Sequence, residues 1–454
     1  MAQRLHEVRD PVHVFVYFDD DERQVINCPR FQRLRSIHQL SLSSLVYPGA
    51  SHKRFEHSLG VMELAGRIFD VITRQPNVGS EVQEFVPREG ERDHGYWRSA
   101  LRMAALCHDM GHLPFSHAAE GLLPDGWDHE RFTWEIVHSP EMSAVWKPMK
   151  PKPEAEDVGK LALGPRTVEK LRLGLSFSPW EAILADIIGG DVFGADRMDY
   201  LLRDSIHLGV AYGRFDHNRL IDTLRVLPRA PQEKGQAESR EEIEPALGCE
   251  RGGLQSAEAL LLARYFMFAQ VYYHHTRLAY DEHLKDFLEA WLPGNQFSVD
   301  LSDHVALTDN EVLSAIATAA ADSTKPGHDP ALRMVTREHF RVARQRQPDD
   351  TAGATKALAE AAEEEFGRDK VRYGASPKRG DPPDFPVRGK DGASRSSLSL
   401  SDVMRTLPVS RDEYVLASRD VIDDVQRWLA KNDDEIVEQA RATAQREDDE
   451  EVTG

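Results

Sequence analysis

Apolar residues recur at three- and four-residue intervals through most of this chain. Over 59–72 they follow helical spacing, and the same spacing predicts helices over 97–108, 180–188, 257–291, 312–321, 349–366 and 421–446. Strand-like composition is confined to the N-terminal end. There, residues 12–18 are β-branched and aromatic, 19–22 are acidic, and 24–26 are again strand-like. The pattern predicts a mainly α protein with a small N-terminal β-hairpin closed by an acidic turn.

Changes in composition along the chain suggest two regions. We expect a core over 1–300, with a flexible insertion at 228–244 that is rich in Glu, Gln, Ser and Lys. We expect a mainly helical C-terminal region over 301–454. It contains a linker near 373–395, rich in Gly, Pro, Asp and Lys, and it ends in an acidic tail.

Charge and cysteine content limit the classes of partner. The 454 residues carry a net charge of −20, which argues against the broad basic surface that binds DNA or RNA, although a small basic pocket for one nucleotide is compatible. The three cysteines form no Cys-x-x-Cys pair, so a reducing cytoplasm is expected. An N-terminal signal region and a run of about 18 apolar residues are both missing, so we expect no membrane partner.

The stretch 104–117 carries the strongest chemical signal. An apolar helix ends in the adjacent pair His108 and Asp109, after which Gly111 and Pro114 break the helix. Neutral imidazole and ionised carboxylate are ligands that suit divalent metals such as Fe, Mn, Ni, Zn or Mg. A lone His-Asp dipeptide is common, so the assignment depends on further ligands elsewhere.

Two other stretches offer such ligands. His57 lies near the start of the helix that begins around residue 59, with Arg54 about one turn before it. Asp196, Tyr200, Arg203 and Asp204 recur at helical intervals and share one helix face, which is typical either of a salt-bridged surface helix or of a site. The basic stretch 31–40 is likewise either a solvated helix face or a source of arginines for phosphate.

These blocks together resemble a known family. The order His57, then His108-Asp109, then Asp196 is that of the HD-domain metal-dependent phosphohydrolases. The flanking residues are similar, more narrowly, to the deoxynucleoside triphosphate triphosphohydrolases, over 8–225 well and over 257–290 loosely. The motifs that carry this similarity are Asp10-Pro11-Val12-His13, Gln39-Leu40, Phe55-Glu56-His57-Ser58-Leu59-Gly60-Val61, His108-Asp109-Met110-Gly111-His112 and Asp196-Arg197-Met198-Asp199-Tyr200.

The resemblance implies an HD-domain helical core and assigns a role to each site residue. The implied metal ligands are His57, His108, Asp109 and Asp196, which would hold one divalent Fe, Mn, Ni or Zn ion, with additional Mg accompanying the nucleotide as an option. The implied catalytic residues are His112, His117, Glu120 and His129, of which His117 or His129 would protonate the leaving 5′-oxygen. The implied substrate contacts are Gln39, Leu40, Arg54, Tyr200, Arg203, Asp204 and Tyr280.

The leading hypothesis is hydrolysis of nucleoside triphosphates, with dNTPs preferred, to nucleoside and triphosphate. The alternatives are an HD-type nucleotidase or phosphodiesterase acting on another nucleotide or a nucleic-acid end, and a nucleotide-binding regulatory protein. The resemblance also implies a homo-oligomer (dimer, tetramer or hexamer). Asn27 lies where relatives with a guanine-reading activator site carry an Asp, so a nucleotide activator is left open.

Overall fold

The computed structural model describes residues 4–229, 243–351, 353–376, 383–407 and 412–453, and of residues 117 and 443–453 it describes the backbone alone. The helices are α1 (Asp20–Asn27), α2 (Pro29–Gln32), α3 (Arg54–Ile72), α4 (Arg92–Cys107), α5 (His129–Val137), α6 (Pro140–Trp146), α7 (Ala155–Lys170), α8 (Pro179–Gly189), α9 (Ala195–Leu208), α10 (His217–Asp222), α11 (Leu254–Met267), α12 (His275–Trp291), α13 (Leu301–Ala306), α14 (Asp309–Ala321), α15 (His328–Thr336), α16 (Ala354–Phe366), α17 (Ser397–Leu400), α18 (Asp402–Thr406) and α19 (Ile422–Thr453).

The strands are short and form three small sheets. They are β1 (His6–Asp10), β2 (Val14–Phe18), β3 (Leu224–Pro228), β4 (Pro245–Glu250), β5 (Arg341–Gln345), β6 (Val371–Ala375), β7 (Pro386–Arg388), β8 (Ser394–Ser396) and β9 (Glu413–Ala417). The sheet orders are β1-β2, β3-β4-β7-β8 and β5-β9-β6. Helix dominates, which confirms the mainly α fold class.

The main core is built around α3. Helices α4, α8 and α9 all pack against it, so its apolar residues are buried on several sides rather than along a single stripe. Met62, Ile68 and Phe69 are completely buried. His57 lies in the first turn of α3, His108 follows the last residue of α4, and Asp196 is the second residue of α9. The packing of these helices therefore brings three distant stretches of chain to one place.

The N-terminal hairpin exists, but its strands differ from those predicted. Strand β1 pairs with β2 in antiparallel register, His6 opposite Phe18, and the stretch expected as second strand is helix α1. The acidic residues 19–22 form the start of that helix. Asp19 accepts from the backbone of Glu22 and the Glu22 side chain accepts from the backbone of Asp19, a capping box that favours a helix over a turn.

The C-terminal region contains more strand than predicted. Helices α16 and α19 pack on the sheet β5-β9-β6, and the stretch expected as a linker near 373–395 holds the end of β6 together with β7 and β8. Strands of three to five residues are too short for a clear alternation, which is why the sequence pattern missed them. The expected flexible insertion at 228–244 lies largely outside the described residues. None of the described helices combines the length and apolarity needed to cross a membrane.

Candidate active site

A cavity of about 1060 Å³ lies where α3, α4 and α9 meet. Most of the residues predicted from the sequence to form a site line it. They are Gln39, Leu40, Arg54, His108, Asp109, His112, Glu120, His129, Asp196, Tyr200 and Asp204. His57 lies behind this lining and is completely buried.

The four predicted metal ligands converge at one wall of the cavity. His57, His108 and Asp196 each offer a ligand atom, and these atoms all lie within 4.8 Å of one another. His57 Nε2 is 3.0 Å from Asp196 Oδ1, and His108 Nε2 is 3.3 Å from Asp109 Oδ1. Ligand atoms that each lie about 2.0–2.2 Å from one ion are themselves about 3–4 Å apart. The separations in this group therefore have the dimensions of a metal site.

The hydrogen bonds behind the two histidines prepare them as ligands. His57 Nδ1 lies 2.8 Å from Asp199 Oδ2, and His108 Nδ1 lies 2.8 Å from the carbonyl oxygen of Ala105. An acceptor at Nδ1 fixes the proton there and leaves the Nε2 lone pair for a metal. His108 Nε2 is buried and has no hydrogen-bond partner, which is costly unless an ion fills the position. The donor set therefore fits a divalent cation.

The electrostatics of this cluster also favour a cation. Burial lowers the pKa of His57, but hydrogen bonds to Asp196 and Asp199 outweigh burial and raise it to about 10. A metal ion bound at Nε2 would displace the proton that the raised pKa places there. Burial raises the pKa of Asp109, but the positive charge of Arg54, 2.6 Å away, dominates and holds that pKa well below its usual range. The carboxylates thus remain ionised and hold positive charge between them.

A second cluster lies beside the first. His112, Glu120 and His129 have side-chain atoms within 4.8 Å of one another, and the His112 and His129 rings stack at 4.1 Å. Burial lowers the pKa of both imidazoles. For His112 burial prevails and the pKa falls well below its usual range, whereas for His129 the hydrogen bond and charge of Glu120 prevail and the pKa rises. One imidazole is therefore neutral and its neighbour is disposed to carry a proton.

His117 was predicted to belong with these residues. Its backbone lies in a short 3-10 turn, Ser116–Ala118, and its side chain is outside what the structure describes. Its catalytic assignment stays a prediction.

Arg203 does not lie where it was predicted to act. It is completely buried, and its guanidinium donates to both oxygens of Asp199 and to Asp10. His13 Nε2 also lies 2.7 Å from Asp199. The prediction that Arg203 binds phosphate is wrong, because its charge is used inside a buried network that orients His57 from behind.

Tyr280 does not reach the cavity either. It packs in a separate apolar cluster, edge-on to His339, and its hydroxyl is buried without a partner. The predicted helix over 257–291 is interrupted by a π-helical turn, Phe268–Tyr272, which shifts the helix face that points into the cavity. From this stretch of chain Tyr272 and Tyr273 line the cavity, and the Tyr272 hydroxyl donates to Asp204 Oδ2 at 2.6 Å.

The sequence interpretation also missed Arg277 and Asp281, which line the cavity as an ion pair at 2.8 Å. Their four-residue spacing on α12 was a usable signal. Burial raises the pKa of Asp281 to about 6, although Arg277 opposes the shift.

Comparison with protein families gives two matches. Residues 54–163 match the HD domain, and residues 215–369 match the HD associated region. The first range contains His57, His108 and Asp109, whereas Asp196 lies between the two matched ranges.

Among curated proteins, the chain is similar to an uncharacterized protein of Methanocaldococcus jannaschii, with 34% identity over 59% of this chain and 46% of that protein. It is also similar to the uncharacterized protein YwfO of Bacillus subtilis, with 32% identity over 59% of this chain and 51% of that protein. The deoxynucleoside triphosphate triphosphohydrolase SAMHD1 of Homo sapiens is 32% identical over 48% of this chain and 36% of its own length. The chain thus spans about half, or less, of these relatives.

Two solved structures resemble the fold over nearly the whole chain. A hypothetical protein from Aquifex aeolicus superposes with a TM-score of 0.74 at 28% identity, covering 94% of this chain and 100% of that one. A phosphohydrolase from Bacteroides thetaiotaomicron superposes with a TM-score of 0.67 at 23% identity, covering 92% of this chain and 100% of that one.

Proposed function

Because the chain belongs to the HD-domain phosphohydrolase family, we propose that it is a metal-dependent hydrolase that cleaves deoxynucleoside triphosphates to nucleoside and triphosphate. The observation that carries the proposal is the joint lining of one cavity by two clusters. One is the candidate metal site around His57, His108 and Asp196, and the other is the acid-base group His112, Glu120 and His129.

The residues of the metal cluster would be His57, His108, Asp109 and Asp196. A bound divalent ion there would supply an activated water and offset negative charge on phosphorus. Arg54 adds a fixed positive charge at the same wall. Its Nε donates to Ser116 Oγ at 2.9 Å and its Nη1 donates to Asp109, so the guanidinium is held in place beside the candidate phosphate position.

His129 is the best-supported proton donor. The hydrogen bond and charge of the adjacent Glu120 outweigh burial and raise the pKa of His129, which favours the protonated imidazole that can give its proton to a leaving 5′-oxygen. His112 is held neutral by burial and lies 3.2 Å from Asp109, which suits a hydrogen-bonding role between the two clusters. His117 remains a second predicted donor.

The cavity volume supports a nucleotide-sized ligand, since ordinary small-molecule pockets occupy about 300–1,000 Å³. Gln39, Tyr200, Asp204 and Tyr272 line the cavity and would contact the sugar. A tyrosine ring packed under C2′ would offer no hydrogen-bond partner to a 2′-hydroxyl, and a buried hydroxyl without a partner costs about 1–3 kcal/mol. We therefore expect dNTPs to be preferred over NTPs.

Product identification tests the proposal. Metal-replete protein is incubated with each dNTP, with each NTP and with a short oligonucleotide, and the products are separated by ion-exchange chromatography. Release of intact triphosphate together with nucleoside supports the proposed reaction. Single phosphate or a cleaved strand would favour a nucleotidase or phosphodiesterase, and binding without turnover would favour a regulatory protein. Sedimentation with and without nucleotide tests the proposed homo-oligomer and any nucleotide activator.

A further inference from the structure

Asp309, the first residue of α14, lies more than a hundred positions beyond the last candidate metal ligand and within the HD associated region. Its side chain is completely buried. It lies outside the candidate metal site and does not line the cavity, so the proposed chemistry gives it no role.

The two oxygens of this carboxylate hold two different segments of chain. Oδ1 accepts from the backbone N–H of Phe115 at 2.8 Å. Oδ2 accepts from the backbone N–H of His38 at 2.7 Å and lies 2.5 Å from His38 Nδ1. Each segment leads directly into the lining of the cavity, because Phe115 and Ser116 line one side and Gln39 and Leu40 line another.

The first segment is held in a conformation that its residues do not favour. Phe115 and Ser116 both have a φ of +56°, in the left-handed region that residues with a Cβ rarely adopt. Such a conformation persists only where surrounding contacts impose it. The hydrogen bond from Phe115 to Asp309 is one such contact, and it comes from a distant part of the chain.

Two hydrogen bonds connect this segment to the candidate metal site. Ser116 Oγ accepts from Arg54 Nε, and Arg54 Nη1 donates to Asp109 Oδ2. On the opposite side, His38 forms a β-bridge with Lys53, the residue immediately before α3, and the Lys53 ammonium lies 2.7 Å from His38 Nε2. Both segments therefore meet at the N-terminal end of α3, where Arg54 and His57 lie.

We propose that Asp309 is a positioning residue that ties the HD associated region to the catalytic cavity by fixing both of these segments at once. This proposal rests on the proposed function, because the kinetic effect of changing Asp309 is measured on dNTP hydrolysis. Asp309 acts through Phe115, Ser116 and His38 and does not touch substrate.

The test compares Asp309→Asn with Glu311→Gln in the full chain. Asparagine has the same shape but only one acceptor oxygen, so it can hold one segment and must release the other. Glu311 caps the same helix through Thr308 and touches neither segment, so its variant reports the effect of loosening α14 alone.

The first readout is hydrogen exchange of peptides that cover 36–42 and 113–118. We expect exchange to accelerate at least tenfold in one of them in Asp309→Asn and to remain within twofold in Glu311→Gln. The second readout is steady-state kinetics on the best dNTP together with bound metal. We expect kcat to fall at least tenfold in Asp309→Asn while metal content stays at the wild-type level, because the ligands themselves are untouched.

Unchanged exchange in both peptides, or a wild-type kcat, would overturn the proposal. So would equal effects of the two variants, since that would make Asp309 a structural residue of α14. If the wild-type chain hydrolyses no nucleotide, the proposed function fails, while hydrogen exchange still decides whether Asp309 fixes the two segments.

Discussion

Asp199 Oδ2 lies 2.8 Å from Nδ1 of His57, on the side of the imidazole that faces away from the cavity. Asp199 is completely buried, and Arg203 neutralises it from the opposite side. The carboxylate thus determines which nitrogen of His57 is free for a metal, without being a ligand itself.

Asp199→Asn is expected to lower metal affinity about 10- to 100-fold, the usual effect of removing such a supporting carboxylate. The measurement is a metal titration followed by elemental analysis after dialysis. Glu22→Gln is the matched control, since Glu22 is a buried carboxylate paired with Arg102 away from the site. Equal metal loss in both variants would mean that the effect is one of general stability.

Asp196→Ala is expected to abolish hydrolysis and most metal binding while the protein stays folded. Asp196 is a proposed ligand, yet its side chain is 36% exposed, so its removal disturbs little packing. Metal content, activity and a melting curve are measured beside Asp125→Ala, which alters an exposed carboxylate elsewhere. A fully active Asp196→Ala protein would contradict the metal assignment.

The pH dependence of kcat is expected to reflect His129. Burial lowers the pKa of His129, but the hydrogen bond and charge of Glu120 outweigh burial and raise it above the ordinary value of about 6.5, so the proton is lost as pH rises through the raised pKa. Activity that needs this proton therefore decreases over the same pH range, which forms the alkaline limb of the kcat profile. Glu120→Gln is expected to move that limb to lower pH. An unchanged limb would assign the acid to another residue, with His117 the next to test.

Tyr272→Phe and Tyr280→Phe form a matched pair. Tyr272→Phe removes a hydrogen bond to the Asp204 carboxylate but keeps the ring, so it is expected to lower kcat/KM for dNTPs about tenfold and to leave the dNTP-to-NTP ratio unchanged. Tyr280→Phe removes a buried hydroxyl that has no partner, so kinetics stay unchanged and the melting temperature stays equal or rises. The reverse outcome would restore Tyr280 as the sugar contact.

Arg203→Leu is expected to lower the free energy of unfolding by about 3–5 kcal/mol, because it leaves Asp10 and Asp199 buried without their cation. Urea denaturation measures the loss. A change in the free energy of unfolding below about 1 kcal/mol would contradict this expectation. It would show that water reaches Asp10 and Asp199 and replaces the guanidinium.

Sequence patterns predicted those parts of the site that depend on local order. His108 and Asp109 are adjacent, and Asp196, Tyr200 and Asp204 share a helix face, so their placement follows from helical geometry. The roles of buried charges were not predictable in this way. Arg203 lies on the same helix as Asp196, but whether it points to solvent, to substrate or to Asp199 depends on what packs against α9.

Two further differences have the same origin. The basic composition of 31–40 fits either a solvated helix face or phosphate binding, yet Arg33 is buried and donates to the carbonyl oxygens of Leu307 and His112. Tyr272 and Tyr280 differ by eight residues, close to two helical turns, so an uninterrupted helix would put both on one side. The π-helical turn and the break before α12 separate the two tyrosines, and the periodicity of apolar residues alone does not reveal this interruption of the helix.

The tie between Asp309 and the cavity has a consequence for the order in which a nascent chain matures. During synthesis, the four candidate ligands have all emerged once residue 196 has left the ribosome, but Asp309 follows more than a hundred residues later. A translating chain could therefore capture its metal ion while the Phe115–Ser116 turn still lacks its distant support. On the proposals above, loading of the ion and completion of the binding cavity would be separate events in time, and hydrolysis would begin only after the second.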